Sequence, residues 1–293
     1  MGVGLGETGW VRSGTDQRRS VEDLAREIRS IETSGRPAGS WISSGSPGMD
    51  GALPGGGYGA GSMVEWVHGG EHGADGGMPL RGLGSLSLAM RVGMQAMEGG
   101  KYMVLVDRYR RFYAPGWLGL GGWLGLGGAN ERLIVLQPES DADAVWGMDQ
   151  ALRNPSVGAV VASVHRLDDR AARRLQLATE QGGGLGLLVR DAQAARRYPS
   201  WADVQWRVRT SVQSGVRDSA SRELGAWQTR WFDLELTRAG GGRAGHQLRI
   251  GLDASGRWVE YTGSIGVAHE PAGTLHLAAE LAKPARRRRG LAS

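Results

Sequence analysis

Cysteine is absent from the 293 residues. That excludes a disulfide scaffold, a thiolate metal site and a cysteine nucleophile. Lysine is nearly absent too: Lys101 and Lys283 stand alone, so almost all of the 35 basic residues are arginine. A phosphate-binding loop of the G-x-x-x-x-G-K-[ST] kind needs a lysine beside backbone N–H groups and a hydroxyl on magnesium. Lys101 is followed by Tyr102, with Gln95 where the first glycine belongs, and Lys283 lies near the end of the chain. Neither completes the motif. No G-x-S-x-G nucleophile elbow occurs. The uncharged stretch 114–129 carries seven glycines and is too short and too flexible to span a bilayer. The first twelve residues show no basic region leading into an apolar one. A cytoplasmic location with no membrane contact is the expectation.

Glycine is abundant instead, 50 of 293 residues against an average near 7%. Hydrophobic content of 40% and charged content of 22% suit a globular chain. The net charge of +5 and pI of 9.9 are mildly basic. Four of the positive charges form one run, Arg286, Arg287, Arg288 and Arg289. That run suits either phosphate contact through counterion release or a solvated tail.

Residues 1–15 read as a disordered tail. The segment Ser20 to Thr33 reads as a helix, with Val21, Leu24, Ile28 and Ile31 on one face. The middle alternates strands and helices. The runs over residues 62–67, 102–107, 133–136, 157–164 and 185–189 are short and apolar, with those at 102–107 and 133–136 expected to be buried strands. Helices are expected at Leu83 to Glu98, Ser140 to Arg153 and Asp168 to Gln181. The first has Leu86, Met90, Met94 and Met97 on one stripe. The third is stopped by Gly182, Gly183 and Gly184. This alternation predicts an α/β fold with a mostly parallel sheet covered on both faces. The pattern then changes. Val204, Trp206 and Val208 alternate, Trp231, Asp233, Leu234 and Leu236 do so less cleanly, and Leu248, Ile250 and Leu252 alternate before Trp258 to Tyr261. An antiparallel ending is predicted, with a short helix over Thr274 to Leu281.

Several residue groups carry candidate chemistry. His68 and His72 spell H-G-G-E-H, an inverted zinc-protease string. Five glycines around it speak against the helix such a site needs. Asp141/Asp143 and Asp168/Asp169 sit at helix starts, where capping accounts for them. Arg108, Arg110 and Arg111 follow a strand's carboxyl end, the functional edge of an open α/β sheet. Arg196 and Arg197 are expected in another such loop. Both groups suit DNA or partner contact, or plain surface charge. The tandem hexapeptide WLGLGG over residues 117–128 reads as a duplication in a tolerant loop, or else as an exposed Trp/Leu patch.

The string WISSGSPGMDGALPGGGYGAGSMVEWV, residues 41–67, resembles the opening of a RecA-type core. The likeness continues through YMVLVD, through LIVLQPESDADAVWGMDQALRNPSVGAVVASV, and through RRLQLATEQGGGLGLLVR. In LPGGG, in the LQPES…ADA…W pattern and in RRLQLA…GG…LG the chain is similar to the ImuA family, RecA-like accessories of damage-induced mutagenesis. The resemblance implies a RecA-like core over 38–210, preceded by a tail and helix over 1–37. A C-terminal β extension over 211–265 and a basic tail over 266–293 would follow. It also implies a role in error-prone translesion DNA synthesis beside an ImuB-type polymerase homologue and an error-prone C-family DNA polymerase, with RecA filaments or DNA as further contacts. A working motor of this type carries a phosphate-loop lysine, an activating glutamate and a magnesium-holding aspartate. The matching places here are Gly69 to Gly84 without lysine, Tyr109, and Ala162. No catalysis and no cofactor are therefore expected. The alternatives are a SulA-like inhibitor of cell division and a DNA-binding recombinase relative.

Overall fold

The computed structural model describes residues 40–69, 83–114, 117, 129–198, 200–211, 229–240, 244–253 and 256–261. The expected tail and helix before residue 40 and the expected helix over Thr274 to Leu281 lie outside them. A hairpin of two short strands comes first, β1 (Trp41–Ile42) and β2 (Tyr58–Gly59), around helix α1 (Pro47–Ala52). Ser46 caps α1 by accepting the Met49 N–H at 3.3 Å.

The α/β alternation follows. Strand β3 (Met63–His68) leads to helix α2 (Leu83–Gln95), β4 (Tyr102–Val106) and β5 (Leu133–Leu136). Helix α3 (Asp141–Leu152), strand β6 (Val157–Ser163), helix α4 (Asp169–Gly182), strand β7 (Leu185–Asp191) and the short helix α5 (Ala192–Arg197) complete it. Strands β8 (Val204–Ser211), β9 (Arg230–Ala239), β10 (Gln247–Leu252) and β11 (Trp258–Glu260) close the described chain. Nine of these strands form one sheet in the order β11-β10-β9-β8-β3-β7-β6-β4-β5. It is parallel from β5 to β8 and antiparallel from β8 to β11.

Two apolar layers cover the sheet. One contains α2 with Val64, Trp66, Leu105, Val161 and Leu187; the other contains α3 and α4 with Met63, Val104, Val160 and Leu188. Alternate residues of one strand thus feed opposite layers, as the period of two requires. The expected helix caps form as well. Ser140 accepts the Asp143 N–H at 3.1 Å and Asp168 accepts that of Ala171 at 2.7 Å. Gly183 ends α4 with φ of 73°, a left-handed position that glycine takes without steric cost.

Five expectations need correction. Helix α2 stops at Gln95, and it is buried on nearly every side rather than along one stripe. The far side of α2 meets the antiparallel strands: Phe232 of β9 packs at Gly84, and the buried Arg91 donates to the Gly256 carbonyl at 3.1 Å with its guanidinium 5.4 Å from the Trp258 ring. Burial pulls Arg91 down to about 10, so it stays charged at neutral pH. Strand β5 is an edge strand, with Ile134 and Val135 partly exposed, because among the described residues β4 alone pairs with it. Strand β8 belongs to both halves, parallel to β3 and antiparallel to β9. In β9 the buried face is Phe232, Leu234 and Leu236, so Trp231 points the other way. Trp117, at the head of the tandem repeat, is buried in the core and offers no exposed patch. The rest of the repeat lies outside the described residues.

Candidate functional site

In an open parallel sheet the strands' carboxyl ends form the ligand-binding edge, because loops there lead into helix N-termini. His68 ends β3, Asp107 follows β4, His165 follows β6 and Asp191 ends β7. These residues are spread over more than a hundred positions of the chain, and the parallel register gathers them. His165 Nδ1 lies 3.7 Å from Asp191. The Tyr109 ring meets the His165 ring edge-on at 5.0 Å, and the Arg111 guanidinium lies 5.0 Å from the Tyr109 centroid. Asp191 also caps α5, accepting the Ala194 N–H at 2.7 Å.

Asp107 shapes the loop. Its two carboxylate oxygens accept the N–H groups of Arg111 and Phe112, at 2.9 and 2.8 Å. Both oxygens are thereby committed to backbone. The turn carries Arg110 at φ of 52°, the one left-handed non-glycine residue of the described chain. Tyr109, expected at the place of an activating glutamate, holds an aromatic contact with His165. Ala162, in the strand expected to carry a magnesium ligand, is fully buried. Among the described residues no group of three His, Asp or Glu is placed to hold a metal ion. Residues 70–82, which include His72 and most of the segment aligned with a phosphate loop, lie outside the described residues.

The expected arginines separate. Arg108 is tied to Asp141, the first residue of α3, at 2.6 Å. Arg110 is exposed, while Arg108 and Arg111 both set their guanidinium groups over the Tyr109 ring, at 5.7 and 5.0 Å. Arg196 and Arg197 stand in the last turn of α5, not in a loop, and Arg197 leans on Tyr198 at 5.5 Å. Asp191 starts that helix as its N-cap, a signal obscured in the sequence by the apolar run before it. The run Arg286 to Arg289 lies outside the described residues. No described helix is long and apolar enough to cross a membrane.

His68 is a largely buried imidazole at this edge. Burial is the main cause that pulls its pKa below the ordinary 6.5; Arg111 and His165 act the same way, and Asp191 opposes them. A histidine depressed in the folded state binds its proton more readily when unfolded, so stability falls as pH drops through about 6.5. Urea midpoints at pH 7.5 and 5.0 are expected to show a larger acid loss for the natural chain than for His68→Gln. Equal losses in the two proteins would remove His68 as the cause.

No model of a protein family matches the chain. Protein ImuA of Caulobacter vibrioides, strain NA1000 / CB15N, is 30% identical over 212 residues, spanning 70% of this chain and 80% of that relative. The chain belongs to the ImuA family. The protein of the same name from C. vibrioides strain ATCC 19089 / CIP 103742 / CB 15 matches this ImuA-family chain to the same extent. Among solved structures, the crystal structure of the RadB recombinase aligns with a TM-score of 0.53 at 14% identity, over 73% of this chain and 97% of that one. The fold of this ImuA-family chain is therefore RecA-like, as its motifs imply.

Proposed function

We propose that this ImuA-family chain is a non-catalytic, RecA-like accessory of damage-induced, error-prone translesion DNA synthesis. It acts by joining an ImuB-type polymerase homologue to an error-prone C-family DNA polymerase. The observation that carries the reading is the family match across 80% of the relative's length, together with a chain whose two lysines complete no phosphate loop. Removing the phosphate-loop charge, the metal carboxylate and the water-orienting glutamate together leaves no electrostatic stabilisation for phosphoryl transfer. What such a fold retains is surface. On this reading the RecA-like core runs over 38–210, with the β extension over 211–265 and the basic tail over 266–293. On this reading the exposed Arg110, Arg196 and Arg197 and the Arg286–Arg289 run are cations for DNA or partner contact. Affinity purification of a tagged chain from cells exposed to a DNA-damaging agent is expected to bring down an ImuB-type protein. Its absence, or magnesium-dependent ATP hydrolysis by the pure chain, would overturn the reading.

A further inference from the structure

Helices α3 and α4 pack side by side, and their N-terminal halves part to leave a groove of about 770 Å³. Its α3 wall is Ala142, Val145 and Trp146; its α4 wall is Arg170, Ala171 and Arg174. Arg166 and Tyr198 close the ends. Trp146 is 63% exposed, a large apolar side chain that no described neighbour covers. Two acids at the mouth are already spent: Asp141 on Arg108, and Asp168 on the Ala171 N–H. Arg174 makes only a long contact, 3.5 Å, with Asp149, which Arg153 also holds at 3.1 Å. Arg166 and Arg170 have no hydrogen bond or ion pair among the described residues. The groove thus sets an aromatic, apolar wall opposite a row of available guanidinium groups.

We propose that this groove binds an extended acidic segment of a partner protein in which carboxylate and large apolar side chains alternate. The spacing supports it. Arg170 and Arg174 are one helical turn apart, about 6 Å. Carboxylates two residues apart on an extended chain are separated by about 6.6 Å. Side chains between them point the other way, toward Trp146 and Val145. Guanidinium groups take carboxylates in bidentate pairs, and an exposed tryptophan is a common anchor for a peptide's apolar residue. A nucleic-acid strand fits less well, because the cations form a short row flanked by two aspartates instead of a long track. The proposal deepens the reading of the chain as a protein-binding accessory. Its test uses none of that reading's partners, so either can fail alone.

The probe is a fluorescein-labelled peptide, Asp-Leu-Glu-Leu-Glu-Leu-Asp, followed by fluorescence anisotropy with the full chain. Saturable binding is expected, on the order of tens of micromolar, weakening as salt is raised. The double variant Arg170→Glu/Arg174→Glu is expected to bind at least tenfold more weakly, and Trp146→Ala at least threefold. All three positions are exposed, so unchanged circular-dichroism melting would show that the fold is kept. Undiminished affinity in the double variant or no binding of the peptide would overturn the proposal. So would tighter binding of a labelled twelve-residue oligothymidylate that is lost in the same variants, which would make the groove a nucleic-acid site.

Discussion

Replacing Glu65 by alanine is expected to destabilise the fold by about 3–5 kcal/mol, the usual effect of breaking a fully buried ion pair from one side. Glu65 sits in β3, at the centre of the sheet, and is wholly buried. One carboxylate oxygen accepts from Arg190 Nη1 of β7 at 2.7 Å. The other accepts from the Ser200 hydroxyl at 2.8 Å and from Gln205 Nε2 of β8 at 2.6 Å. Arg190 in turn donates from Nη2 to the Ala194 carbonyl of α5 at 3.0 Å, and Gln205 accepts from Thr237 of β9 at 2.7 Å. One carboxylate therefore ties four strands and a helix together. Without it a desolvated guanidinium, a hydroxyl and an amide lose their partner at once. The pair itself need not be worth that much: Glu65→Leu with Arg190→Met, which removes both charges, is expected to recover most of the loss. Urea unfolding of the natural chain and the two variants checks this. A loss under about 1 kcal/mol for Glu65→Ala would mean the network is not the clamp its geometry describes.

That network also marks the limit of what local pattern reveals. Strands β6 and β7 were legible because β-branched and leucine runs bounded by glycine leave few other solutions. Helices α3 and α4 were legible from caps that act within three residues of themselves. Glu65 and Arg190 each interrupt an apolar strand, which is the visible trace of a buried pair, but they lie 125 positions apart and only the parallel register joins them. The same holds for His68, Tyr109, His165 and Asp191, whose meeting depends on four strands ending together. Strand β8 alternates like any half-buried strand, and its direction depends on two neighbours its own residues do not name. The partial exposure of β5 is likewise a property of the sheet's outer edge.

The second large effect belongs to that junction. Trp206→Ala in β8 is expected to cost about 3–5 kcal/mol, the range for emptying a buried aromatic site. Trp206 is fully buried, stacks on Trp66 of β3 with centroids 6.4 Å apart, and donates from Nε1 to the buried Tyr58 hydroxyl at 3.0 Å. Burial raises the Tyr58 phenol well above its ordinary 10, so the hydroxyl stays protonated and the indole supplies its partner. Trp206→Phe separates the two contributions. It keeps most of the apolar contact but withdraws the donor from Tyr58, and an intermediate loss of about 1–3 kcal/mol is expected. Because β8 is the strand through which the parallel core meets the antiparallel strands, the damage should be local before it is global. Hydrogen exchange is expected to show β9 and β10 losing protection ahead of β6 and β7 in Trp206→Ala. Uniform loss across all four would mean that the sheet opens as one cooperative unit and that the aromatic stack is not its seam.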